Sequence, residues 1–220
     1  ESSAASDVYK RQNLQKGLTT MDQRANRMKT LIINTFFDCL EELDFTQITI
    51  GKISDQAMIN RSTFYRYFSD KYILRDTIVD DIVKDFADHM EVDFLHMDIK
   101  NKDHTKTLEY GLSHLCTKKR ELELLWNQPT LGRNVFDEMI DAGASKVENE
   151  IKNHKTISPE KKALADWYAK LLVNNYLVTV RWWFSHSDTV SASQITEMME
   201  RHMISGTIST PVSYTHLTLP

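Results

Sequence analysis

Between Ile48 and Leu74 the chain reads Ile-Thr-Ile-Gly-Lys-Ile-Ser-Asp-Gln-Ala-Met-Ile-Asn-Arg-Ser-Thr-Phe-Tyr-Arg-Tyr-Phe-Ser-Asp-Lys-Tyr-Ile-Leu, a stretch that few folds accommodate. Ile50, Ile53 and Ala57 recur at three- and four-residue steps, so Thr49 to about Met58 reads as a short helix with Thr49 as its N-cap. Met58 and Ile59 make the turn. Asn60 then caps a second helix in which Phe64 and Phe68 face inward and Arg61, Ser62, Thr63, Tyr65 and Arg66 face outward. Ile53, Ile59, Phe64 and Phe68 are the expected core of this pair.

So many hydrogen-bonding side chains on a two-turn helix suit a reader of the DNA major groove. Arg forks onto guanine, Ser and Thr reach base edges or methyl groups, and Tyr and Lys hold phosphates. The overall charge of −4 argues weakly against nucleic acid, but the charge is unevenly spread. Residues 24–75 hold eight Lys/Arg against six Asp/Glu, a balance of +2. Residues 76–220 hold sixteen against twenty-two, a balance of −6.

Helices are expected elsewhere too. Six Gly and four Pro in 220 residues are too few to punctuate an all-β fold of many short strands. Met28, Leu31, Ile32, Thr35, Phe36, Cys39, Leu40 and Leu43 form one face of a first helix from about Gln23 to Leu43. After Asp70, a helix N-cap, Tyr72, Ile73, Ile78, Ile82, Val83, Phe86 and Met90 continue an apolar stripe. Asp76, Asp80, Asp81, Asp85 and Asp88 read as its solvated acidic face. Residues 98–103 read as a linker. Further helices are expected over about 104–117, 121–127, 132–152, 159–186 and 191–205, the fourth opened by Ser158-Pro159. The piece from Ala163 to Phe184 is apolar more than halfway round, so it should be buried on two sides, one of them a subunit interface. Leu172, Tyr176 and Trp183 there, with Ile195 and Met199 on the last helix, are the candidate dimer contacts.

Ile48-Thr49, Ile53, Ala57, the run from Ile59 to Phe68 and Lys71 resemble the DNA-binding segment of the tetracycline-repressor-like (TetR/AcrR) family. The family pattern is Ile-Thr-x-x-x-Ile-Ala-x-x-Ala-Gly-Val-Ser-x-x-Thr-Phe-Tyr-x-His-Phe-x-x-Lys-x-x-Leu. The likeness covers about fifty residues, and Thr-Phe-Tyr-x-x-Phe followed by Lys makes it specific. It implies that Arg61, Ser62 and Thr63 lie at base edges, that Tyr65, Tyr67 and Lys71 hold phosphates, and that Thr49 caps the supporting helix beside the DNA backbone; Arg66 joins this DNA-binding set as an outward side chain. Ser54, Met58, Asn60 and Tyr67 depart from the pattern. Met58 in place of Gly implies a turn that needs no positive φ there.

The resemblance implies an all-α fold of about nine helices, in which a three-helix helix-turn-helix unit at 23–70 joins a larger dimerising and ligand-sensing body at 71–207. Residues 1–22 and 208–220 read as disordered or non-native extensions. It also implies a homodimer on a palindromic DNA operator, acting as a repressor that a small-molecule effector releases. Trp126, Phe136, Met139, Ile140, Trp167 and Tyr168, with Asn174 or Asn175 as polar contacts, are the candidate pocket, although plain core packing fits the same spacing. The alternative reading is a co-regulator on the same scaffold that binds another protein instead.

No catalytic signature is present: there is no His-Glu-x-x-His, no Gly-rich phosphate loop and no Gly-x-Ser-x-Gly elbow. An enzyme, a metal and a cofactor are therefore not expected. His114-x-Cys116 is a metal-type pair without a second pair to match. Cys39 and Cys116 are spaced as reduced thiols of a cytoplasmic protein. No run approaches the roughly 18 apolar residues of a membrane span, and no signal-peptide core precedes the first helix.

Overall fold

The computed structural model describes residues 23–90, 92, 104–155 and 157–202. The expected extensions at both ends, the 98–103 linker and Met203 lie outside the described residues. Within them the chain is helical and has no strand. Residues 23–42 form α1. There follow α2 (Ile50–Gln56), α3 (Arg61–Phe64), α4 (Lys71–His89), α5 (His104–Cys116), α6 (Lys119–Trp126), α7 (Val135–Asn153), α8 (Pro159–Lys162), α9 (Ala165–Phe184) and α10 (Ala192–His202). The helix expected over 159–186 is broken at Leu164, whose φ of −100° and ψ of 8° leave the helical region. None of the described helices is long and apolar enough to cross a membrane.

Chain contacts divide the molecule between Ile78 and Val79, eight residues beyond the expected boundary, because buried Leu74 and Ile78 extend the first core along α4. In this first unit the stripe of α1 closes over α2 and α3. Ile32, Phe36, Cys39 and Leu40 are buried, as are Phe45, Ile48, Ile53, Phe64 and Phe68. Phe37 is buried as well, whereas Leu31, expected inside, is 40% exposed, and Ile59 is half-buried. Phe45 belongs to a 3-10 turn (Phe45–Gln47) and meets Phe36 and Tyr72 edge-on, with ring centroids 6.1 and 5.6 Å apart.

The second unit is built on α7 and α9, which pack along each other, with α10 against α5. Gly143 marks a tight approach: a Cβ there would sit 3.0 Å from both Phe86 and Val173. The acidic face of α4 is only partly solvated. Arg133 reaches Asp80 at 2.7 Å and also pairs with Glu138, and Asp85 is held by His114 and Lys118. These aspartates meet His114 of α5 and the cations Lys118 and Arg133 of later connections, and sequence spacing along α4 cannot show a partner thirty or fifty residues away.

Candidate nucleic-acid interface

Thr49 takes the extended conformation of an N-cap, and its side-chain oxygen accepts the Lys52 N–H at 3.2 Å. Helix α2 therefore starts where its sequence dictates. It ends in a left-handed turn. The Ile59 N–H donates to the Ser54 carbonyl at 2.9 Å and the Met58 N–H to the Asp55 carbonyl at 3.2 Å, the paired bonds of a Schellman motif. Met58 has φ 54°, so the expectation that this turn avoids positive φ is wrong. The motif needs a left-handed residue whatever its side chain, and Met58 meets the need at 92% exposure. Left-handed geometry costs a residue with a Cβ about 1–2 kcal/mol. Met58→Gly is therefore expected to raise stability by about 1 kcal/mol, read as a higher urea midpoint with an unchanged slope.

Asn60 stands at the N-cap of α3 with extended backbone, but its side chain makes no capping bond. Helix α3 is shorter than expected. After Phe64 the chain continues in tighter turns, with the Arg66 N–H on the Thr63 carbonyl and the Tyr67 N–H on the Phe64 carbonyl. Even so, Arg61, Ser62, Tyr65 and Arg66 are exposed, Thr63 and Tyr67 are half-exposed, and Phe64 and Phe68 are buried beneath them. The Arg61 guanidinium lies folded against α2, its Nη2 2.6 Å from where a Gly51 Cβ would be. That position admits the arginine because it has no side chain of its own.

Lys71 behaves differently from its neighbours. Its ammonium donates to the carbonyls of Phe45 (2.9 Å), Ile48 (2.8 Å) and Thr46 (3.3 Å), and it lies 4.6 Å from the centre of the Phe45 ring. Burial, then the nearby Arg75 charge, push its pKa below the usual lysine value. All three N–H donors are occupied inside the fold, so Lys71 ties the α1–α2 connection to α4 and has none left for a phosphate. Asp70 caps α4, accepting the Tyr72 and Ile73 N–H groups at 2.8 Å each.

In the body, the structure redistributes the expected residues. Leu172, Trp183, Ile195 and Met199, expected at a dimer interface, are buried within the chain itself, and the Trp183 indole N–H donates to the Val190 carbonyl at 2.7 Å. Tyr176 is half-buried with its hydroxyl beside Gly111. Helix α9 is apolar on two faces, and periodicity alone cannot say which one packs against the rest of its own chain. Its outward face carries Trp167, Val178 and Trp182, all about half exposed, in helical register with Leu171, and the N-cap residue Leu164 is exposed as well. Trp167, a candidate pocket residue, lies on that outer stripe.

Of the other pocket candidates, Met139 is fully buried core. Trp126 packs edge-on to Phe136 at 5.3 Å and stacks on Phe184 at 5.8 Å. The Tyr168 hydroxyl is buried without a hydrogen-bond partner among the described residues, and burial pushes its pKa up to about 12. Asn175 does line a groove of about 300 Å³, shared with Leu172, Tyr176, Thr179, Ile195, Met198, Met199 and His202 of α9 and α10. Its lining therefore draws on both the pocket and the interface candidates.

Among the described residues, α2, the turn at Met58 and α3, held over Phe64 and Phe68, form a helix-turn-helix arrangement. No protein-family model matches the sequence. The chain is 24% identical over 184 residues to YxbF, an uncharacterized HTH-type transcriptional regulator of Bacillus subtilis (strain 168). That alignment takes in 82% of this chain and 46% of the relative, so the chain spans about half the length of the curated protein it matches. Among solved structures, a TetR transcriptional regulator from Streptococcus agalactiae 2603V superposes with a TM-score of 0.53 at 19% identity, over 83% of this chain and 97% of the other. The fatty acid degradation regulator FadR from Bacillus halodurans gives a TM-score of 0.54 at 12% identity, over 81% and 95%. The chain has the fold of the TetR-type regulators.

Proposed function

We propose that the chain is a DNA-binding transcription regulator of the TetR type that works as a homodimer on a palindromic operator and releases it, as a repressor, when a small molecule binds the body. The observation that carries this reading is the row Arg61, Ser62, Thr63, Tyr65 and Arg66, presented outward from a turn whose inward residues are buried. Tyr67, half exposed, and Thr49, whose hydroxyl proton remains free to donate, flank that row; Lys71 drops out of the phosphate contacts. A band-shift titration with DNA from around the protein's own gene, at one fixed salt concentration, tests it. Arg61→Ala is expected to weaken binding by about 1–3 kcal/mol, the range for a base-edge arginine. Tyr65→Ala should weaken it across all sequences. Parental affinity in both variants would rule the reading out.

The outer stripe of α9 supports the dimer. Trp167, Val178 and Trp182 on this 20-residue helix, with Leu164 at its N-cap, are large apolar side chains left about half exposed, which suits a contact surface. A two-fold axis on this stripe would pair two reading helices on successive major grooves. Val178→Glu combined with Trp182→Glu should halve the mass measured by light scattering, with the helical circular dichroism unchanged because both side chains point out of the protomer. A parental mass would place the interface elsewhere. For the effector, the α9–α10 groove has the size of a small-ligand site and apolar walls, with Asn175, Thr179 and His202 as polar groups.

A further inference from the structure

Asp85 and His89 are four residues apart on α4 and so share one helix face, the spacing that metal-binding helices use. His114, on α5, lies across from them. Its Nε2 is 2.6 Å from Asp85 Oδ2, and its ring stacks on that of His89, centroids 3.8 Å apart and 15° from parallel. One nitrogen from each histidine and one Asp85 oxygen all lie within 4.8 Å of one another. His89 Nδ1 is 2.9 Å from the Asp85 carbonyl oxygen, which can only accept, and 3.4 Å from Asp85 Oδ1; with Nδ1 donating there, Nε2 is the nitrogen a metal would take up. Histidines that bind metals are commonly oriented in this way by a backbone carbonyl.

From this geometry we propose that Asp85, His89 and His114 form a binding site for a late first-row divalent cation, of the Zn²⁺, Co²⁺ or Ni²⁺ class that two imidazoles and a carboxylate favour. Four-coordinate sites with bonds of about 2.0–2.1 Å place their ligand atoms about 3.4 Å apart. His114 Nε2 and Asp85 Oδ2, now 2.6 Å apart, must open to that separation while the remaining pairs, within 4.8 Å, close toward it, and the stacked rings of His89 on α4 and His114 on α5 must turn so that their in-plane nitrogen lone pairs meet at one point. Three protein ligands leave a further position to water or an outside ligand. The cation's place is now taken by the Lys118 ammonium, 2.6 Å from the same Asp85 oxygen and about one third exposed on a flexible stem. Binding would displace that ammonium and replace the hydrogen bond between His114 Nε2 and Asp85 Oδ2. The partner of His114 is thus on α4 rather than at Cys116, which is exposed. Metal capture here requires no DNA.

The test is a titration of the metal-free, tag-free chain with Zn²⁺ by calorimetry and with Co²⁺ by visible absorption. One equivalent per chain is expected, with the intense Co²⁺ bands of a four-coordinate site. His114→Gln and His89→Gln should each weaken binding by more than about tenfold. Lys118→Met should tighten it, because the competing cation is gone. That sign distinguishes a metal site from a plain ion-pair network and does not depend on whether either histidine variant folds, which circular dichroism without metal checks. Absence of binding by the parent chain overturns the proposal. So does parental affinity in both histidine variants, which would mean capture by scattered surface histidines, and so does weaker binding in Lys118→Met.

Discussion

Phe64→Ala is expected to unfold much of the first unit under conditions where the parent is stable. Phe64 is fully buried on the inner side of α3, with its ring 5.9 Å from that of Phe68. Truncating a buried phenylalanine costs about 3–5 kcal/mol, lost transfer energy and residual cavity together, against about 5–15 kcal/mol for a whole domain. Urea denaturation followed by circular dichroism should show a much lower midpoint, and DNA binding should be lost although the side chain never faces DNA. Phe64→Leu, which keeps most of the volume, should recover most of the stability. Arg61→Ala provides the contrast, because an exposed arginine should change stability by less than about 0.5 kcal/mol. Similar losses of stability in Arg61→Ala and Phe64→Ala would mean that the outward row also holds the fold, and that DNA effects of its variants cannot be read as contacts.

The second large effect is expected at Lys71. Lys71→Met keeps the aliphatic stem and removes the ammonium, leaving the carbonyls of Phe45, Thr46 and Ile48 without their shared donor. Hydrogen bonds from a charged group are worth about 1.5–3 kcal/mol each, and here water can replace part of the loss, so about 2–3 kcal/mol overall is expected. The readout is again the urea midpoint. A phosphate contact would behave in the opposite way, with stability unchanged and DNA affinity falling together with its salt dependence. That outcome would return Lys71 to the DNA-facing set.

Lys71 also shows where sequence reading stops. Its place three residues after Phe68 resembles a family position, but nothing in the local pattern reveals that three carbonyls more than twenty residues earlier converge on its ammonium. Met58 is similar. The Schellman turn is fixed by hydrogen bonds from Met58 and Ile59 back to Asp55 and Ser54, and the motif's demand for a left-handed residue outweighs the preference of the side chain. Asp85, read from α4 alone as part of a solvated acidic face, meets its partners only when α4 and α5 come together.

What the sequence by itself determined is local and periodic. Three- and four-residue spacing located most of the described helices to within a few residues while running α8 and α9 together, Thr49 and Asp70 marked two helix starts, and the alternation around Phe64 and Phe68 sorted Arg61, Ser62, Tyr65 and Arg66 to the outside. These follow from the period of the helix and from the chemistry of its ends, which act over a few residues. Tertiary structure alone decided which side of α9 is core and which is left open, so that Leu172 and Trp183 went inward while Trp167 and Trp182 stayed out. Both faces of that helix are apolar, and burial free energy depends on area without direction. The choice between them belongs to the helices that pack against it.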